Sequence, residues 1–155
     1  MKKKLLLIVI FYFALIISSY GAASSGSSRS SNYDKGATII KKGKKLEEKG
    51  KIEKANKRYE KALEYLIKSN KEKPNQPDTL NYLGFALRKL GNFEEAEKYY
   101  LLGLNIKPDH RGINEYLGEL YIITDRMDLA KERLEVLKNC NCEEYDELKE
   151  LIDKN

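Results

Sequence analysis

DTLNYLGFALRKLGNFEEAEKYYLLGLNIKP, residues 78–108, decides the fold. Leu80, Leu83, Gly84 and Leu87 recur at helical spacing, Gly91-Asn92 breaks the pattern, and Ala96, Tyr100 and Gly103 resume it until Pro108. The stretch therefore reads as two helices joined by a tight turn. A shift of 34 residues reproduces it: Leu83-Gly84 falls on Leu117-Gly118, Leu87 on Tyr121, Ala96 on Ala130, Tyr100 on Leu134, and the turn on Asp125-Arg126. A fixed period of this length predicts an all-α stacked solenoid, because no single helix pair can bury its apolar face alone.

The same spacing recurs upstream in Ile39, Gly43, Leu46, Gly50, Ile52, Ala55, Tyr59 and Ala62. Its closing proline is displaced, since the register places one near Ile67 and Pro74 comes seven residues later. Leu63, Leu66 and Ile67 keep the helical pattern running across the gap, so the second helix of this unit is expected over about Ile52 to Glu72, roughly 30 Å long. Lys42 stands where the later units have Leu83 and Leu117, which marks the first helix of this unit as the weakest.

A large residue, Leu-Gly three positions on, a further large residue, then Ala, an aromatic and a closing Pro resemble the tetratricopeptide repeat family. Leu80 stands where that family often has Trp and Leu87 where it often has Tyr, so spacing and small residues carry the resemblance, over about Asp34 to Asn139. It implies a helical solenoid of three helix-turn-helix repeats, about 36–76, 77–110 and 111–142. A capping helix, 143–155, is expected to close it, with Tyr145, Leu148, Leu151 and Ile152 inward and Glu144, Asp146, Glu147 and Glu150 outward. Asn141 and Glu144 have the spacing of a capping box, and Asp78 that of an N-cap. Pro108-Asp109-His110 is expected to start the third repeat as Pro77-Asp78 starts the second. His110, the only histidine, is expected to be solvated there and without a role.

Ahead of the repeats, Lys2 to Lys4 precede an apolar run of 13 residues, Leu5 to Ile17, and then small residues. This is the layout of a secretory signal peptide, residues 1–21, with cleavage after Gly21 or Ala23; the run is short for a membrane-spanning helix. Retention as an anchor is the alternative. Residues 22–33, rich in Ser, are expected to be a flexible leader. The protein is thus expected to be exported, to the periplasm in a Gram-negative cell, and to meet a membrane only through its signal. Without Lys2 to Lys4 the chain carries 26 basic and 24 acidic residues, which gives no argument for a nucleic-acid partner.

In such a solenoid the first helix of each repeat lines the concave face. The resemblance therefore points to a protein or peptide partner held by Lys41, Lys44, Asn81, Tyr82, Phe85, Arg88, Lys89, Glu115, Tyr116 and Glu119. Tyr82, Phe85 and Tyr116 form either an aromatic contact surface or a helix-packing core. Tetratricopeptide domains that hold chaperone C-terminal carboxylates use Lys, Asn and Arg on this face; the matching positions here are Ile40, Lys44, Tyr82, Gly112 and Tyr116, so that clamp is not carried over. Charge is uneven: residues 35–61 hold 11 basic and 4 acidic residues, residues 110–155 hold 7 and 12. The asymmetry can steer a partner, dock the basic part on an anionic surface, or be a solvated helix face.

Cys140 and Cys142 are the only cysteines and bracket Asn141. In an exported chain they read as a disulfide setting the angle of the capping helix, with free thiols or a thiol-disulfide or metal-handling role as alternatives. No serine elbow, phosphate loop or histidine cluster is present, so neither catalysis nor a cofactor is expected.

Overall fold

The computed structural model describes residues 31–155, which form seven helices and no strand. They are α1 (Asn32–Glu47), α2 (Ile52–Glu72), α3 (Pro77–Lys89), α4 (Phe93–Ile106), α5 (Arg111–Ile123), α6 (Met127–Leu137) and α7 (Glu143–Asp153). The expected signal peptide, its cleavage sites and the leader as far as residue 30 lie outside the described residues. Helices pair as α1 with α2, α3 with α4 and α5 with α6, and the pairs stack in chain order with α7 packed on the last. Three repeats and a capping helix are what the periodicity calls for.

The first helix begins two residues before the expected start of the repeats. Ser31 caps α1: the Asp34 N–H donates to Ser31 Oγ at 3.1 Å, and the Ser31 N–H donates to Asp34 Oδ2 at 3.0 Å. This reciprocal box satisfies two donors that a helix start leaves open, so Asn32 and Tyr33 belong to the repeats. Lys42 does not prevent α1 from forming. Leu83, which matches it, is buried against the first repeat, whereas no described repeat precedes α1, and Lys42 simply meets solvent.

Within the first two pairs the contact is a ring laid on a glycine. A Cβ on Gly84 would stand 2.5 Å from Tyr100 Cε1, and Tyr59 covers Gly43 in the same way. These close approaches let the helix axes meet and bury both rings completely. One core runs through Ala55, Tyr59, Ala62, Leu66, Leu80 and Leu83; a second runs through Ala96, Tyr100, Ile113, Leu117, Leu120 and Ala130.

Three helix starts differ from the expectation. Gln76 is the N-cap of α3, with Pro77 at its first turn, so Asp78 lies inside the helix. His110, not Asp109, caps α5: Ile113 N–H donates to its Nδ1 at 3.2 Å, and its Nε2 lies 3.1 Å from Asp78 Oδ1. It is buried between repeats rather than solvated. Asn141 takes a left-handed φ of 47° and Cys142 is the N-cap of α7 without a side-chain cap, so the expected capping box is absent. On α7 itself Leu148 is buried, Tyr145 and Ile152 are half-buried, and Leu151 is exposed.

Candidate functional site: the concave face

Adjacent first helices touch one another, α1 against α3 and α3 against α5, and build a concave face from helix positions one turn apart. On it Lys41 is exposed, and Lys44, Tyr82, Lys89, Tyr116 and Glu119 are half-buried. Asn81, Phe85, Arg88 and Glu115 are buried. The expected residues therefore lie on the expected helices, but in two layers.

Phe85 belongs to the lower layer. It is 1% exposed, with its ring 5.6 Å from Tyr59 in edge-on contact and 4.9 Å from Tyr116. It is a packing residue and cannot be a contact surface. Tyr116 covers it, and the Lys44 ammonium lies 3.4 Å from the Tyr116 hydroxyl and within 5.8 Å of both ring centres. Tyr82 is offset from this stack and packs on Tyr33 of α1, with centroids 6.0 Å apart.

Charge pairs tie the helices together beside the rings. Glu47 accepts from Lys89 at 2.7 Å and from the Tyr59 hydroxyl at 2.6 Å. Burial pushes the Glu47 carboxyl up, but these two hydrogen bonds outweigh it and hold the group below the usual carboxylate range. Arg88 meets Glu119 at 2.6 Å with its guanidinium almost wholly buried. Burial opposes the charge on Arg88, and the neighbouring Tyr100 and Glu119 more than restore it.

Among the described residues Glu115 makes no ion pair. It is 3% exposed; burial, a hydrogen bond to Glu147 of α7 and the charge of Glu119 push its carboxyl up to about 9. The protonated, neutral form is therefore the favoured one at pH 7. Glu147 is exposed, as sequence reasoning placed it. The docking of α7 that brings it to Glu115 follows from Leu148 packing on Gly118, one turn from Glu115, and no local sequence signal marks that contact.

Cys140 and Cys142 are joined as a disulfide, with Cα atoms 5.2 Å apart across the left-handed Asn141. Among the described residues no group of three or more His, Cys, Asp or Glu is placed to hold a metal ion. No described helix is long and apolar enough to cross a membrane.

A model of the tetratricopeptide repeat matches residues 37–109. The match spans the first two repeats, which are similar to tetratricopeptide repeats. The tetratricopeptide fold is shared with the first such domain of human RPAP3, solved by NMR, at 22% identity, 79% of this chain and 92% of that chain, with a TM-score of 0.50. Other similar structures are the second tetratricopeptide domain of Spaghetti (RPAP3) bound to the HSP90 peptide SRMEEVD and the Yersinia enterocolitica type III secretion translocator chaperone SycD. The first has 18% identity over 68% of this chain and 92% of that chain, TM-score 0.49. The second has 16% identity over 78% and 88%, TM-score 0.49. No curated protein matches the chain. Tetratricopeptide repeats are in general non-catalytic scaffolds for protein partners.

Proposed function

We propose that this protein is a non-catalytic adaptor that holds a protein or peptide partner on the concave face of its tetratricopeptide repeats. The observation that carries the proposal is the polar chemistry left unpaired there. Asn81 Oδ1, Arg88 Nε and Nη2 and Glu115 Oε1 are buried on α3 and α5 without a hydrogen-bond partner in the protein. Such atoms cost about 1–3 kcal/mol each when buried unless water or a bound partner satisfies them. Above them Lys41, Tyr82, Lys89 and Glu119 keep accessible surface for contact.

Crosslinking followed by pull-down from the compartment where the protein resides tests this reading. Lys41→Glu combined with Tyr82→Ala is expected to abolish capture of the partner recovered by the wild type, while the far-ultraviolet spectrum and the cooperative melt persist. Unaltered capture refutes the concave face as the binding site.

The site of action proposed is outside the cytoplasm, the periplasm in a Gram-negative cell. The support is the basic, apolar and small-residue order of residues 2–23. Sequencing the N-terminus of exported protein is expected to find Ala22 or Ser24; an intact Lys2 overturns cleavage.

A further inference from the structure

We infer that the open end of the stack, the side of α1 and α2 turned away from the second repeat, docks on an anionic lipid bilayer. The inference is independent of the adaptor reading, whose residues lie on the concave face, and goes beyond the membrane contact expected of the signal.

The register that sets Gly43 on Gly84 and Tyr59 on Tyr100 also sets Lys42 on Leu83, Lys45 on Ala86, Lys49 on Leu90 and Arg58 on Tyr99. In the second repeat those four residues pack into the core shared with the first. The matching side of the first repeat has no described repeat to meet, and it is basic. Lys42, Lys45 and Lys49 of α1 are exposed, as are Lys54, Arg58, Lys61 and Lys68 of α2, each set at the three- and four-residue spacing of a single helix stripe. The two stripes share one surface. The ammonium groups of Lys35 from α1 and of Lys61 and Lys68 from α2 all lie within 5.8 Å of the centre of the Tyr65 ring.

Solubility alone asks only that an end of the stack be polar. At the other end α7 meets that need with both signs, its Lys149 and Lys154 pairing with Asp153 and Glu150. The adjoining stripe of α2, Glu53, Lys57, Glu60, Glu64 and Lys71, is mixed as well. The open end is of one sign, and among the described residues only Lys61 of its basic groups forms an ion pair, with Glu64. Like charges gathered in this way repel one another until an anion joins them.

The kind of charge and its layout select the occupant. Arg58 apart, the groups are lysines, hydrated point charges without the fork that reads one carboxylate or phosphate in fixed geometry. From Lys54 to Lys68 they extend about 21 Å along α2, a span for many headgroups rather than one small anion. The hollow between the stripes is lined by Asp34 beside Lys35 and Tyr65, and an acid there opposes a single bound anion. Residues 110–155 hold 12 acidic residues against 7 basic, so docking by the open end turns the acidic end away from an anionic surface. The end that meets the bilayer is also the one nearest in sequence to the apolar run Leu5 to Ile17.

Co-sedimentation of the exported full chain with vesicles containing phosphatidylglycerol, beside vesicles of phosphatidylcholine alone, tests this. A retained apolar run would bind both kinds alike and drops out of the comparison. The wild type is expected to prefer the anionic vesicles and to lose that preference as salt rises. Lys42→Gln, Lys45→Gln and Lys49→Gln together, or Lys54→Gln, Arg58→Gln and Lys68→Gln together, should lower the partition by about fivefold for each charge removed. Lys57→Gln, Lys71→Gln and Lys107→Gln together remove the same charge away from the stripes and should change it by less than about threefold. All of these positions are exposed, and each variant is checked for a wild-type melt. Equal partition onto the two kinds of vesicle, or an equal loss in the variant away from the stripes, overturns the inference. So does stripe-dependent binding of polyglutamate without binding of vesicles, which would assign this end to an acidic polypeptide. None of these results touches the adaptor reading, which fails only if partner capture survives Lys41→Glu combined with Tyr82→Ala.

Discussion

Leu148 of α7 lies on Gly118 of α5, its two Cδ atoms 2.6 and 2.7 Å from where a Cβ would stand. In the first two repeats a tyrosine of the second helix covers that glycine; in the third the register offers Leu134, and a leucine from the next element fills the place instead. The capping helix is thus part of the packing of the third repeat. Leu148→Ala is expected to cost about 2–5 kcal/mol, a large share of the stability of a domain this size. Thermal melting followed by circular dichroism checks it; an unchanged midpoint would show that α7 is dispensable.

Phe85 separates packing from recognition. Phe85→Ala should cost about 3–5 kcal/mol and abolish a cooperative melt before any binding can be scored. Tyr82→Ala, at a half-buried position, should leave the fold standing. Equal melts for Phe85→Ala and wild type would contradict the burial described above.

Glu115 makes stability depend on pH in a defined direction. Its folded value, about 9, is above its unfolded value near the usual 4.3 for glutamate, so the folded state holds the extra proton between the two. The contribution is full below about pH 4.3 and is lost as pH rises through 9. Glu115→Gln should flatten this loss and raise the melting temperature above pH 7, each kcal/mol appearing as about 4 °C. Glu47 acts oppositely: held low, its contribution is present above the unfolded value and is lost as pH falls through the lower folded one. A melting series from pH 3 to 9 on wild type, Glu115→Gln and Glu47→Gln distinguishes the two slopes.

The Cys140–Cys142 bridge closes a very small loop, so the entropy it removes from the unfolded chain is limited. Its loss through a double Cys→Ser change should cost no more than about 2 kcal/mol. Thiol labelling of protein from its native compartment should find both cysteines protected. Extensive labelling, with turnover of substrate thiols by the purified protein, would favour the thiol-handling alternative.

His110→Ala should cost about 1 kcal/mol through the lost cap of α5, and His110→Asn should recover most of it, since a short amide can accept from the same backbone donors. Chemical denaturation of the three forms gives the comparison. If Asn does no better than Ala, the bond to Asp78 rather than the cap carries the effect.

What could be read from residues alone was whatever repeats. The period and the length of α2 follow from spacing, and the structure reproduces Ile52 to Glu72 as expected, whereas the laying of Tyr59 on Gly43 and Tyr100 on Gly84 emerges only from the structure. Capping was read less well. Ser31-x-x-Asp34 was a visible signal hidden by the serine-rich composition around it, whereas His110 as a cap depends on a pocket made by Asp78 of the previous repeat. The two layers of the concave face were not legible either. Phe85 aligns with Lys44 and Glu119, and only the approach of Tyr59 and Tyr116 from two other helices decides that it is covered. The seat of Leu148 on Gly118 lay beyond the periodic part, where no repeat fixes how α7 docks.

The extra length of the first repeat has an arithmetical side. Seven inserted residues turn a helix by about 700°, within about 20° of two complete revolutions. The added segment therefore advances α2 along its axis and hardly rotates it, so Leu66 and Ser69 stay on the side that Ala55, Tyr59 and Ala62 define. An insertion of five residues would swing everything beyond it by about 140° and send the incoming strand of chain at Pro74 away from the stack. Lengths in this molecule can thus change only in whole turns, and a variant library that adds or removes three or four residues at Leu63 should retain more folded members than one that adds or removes two.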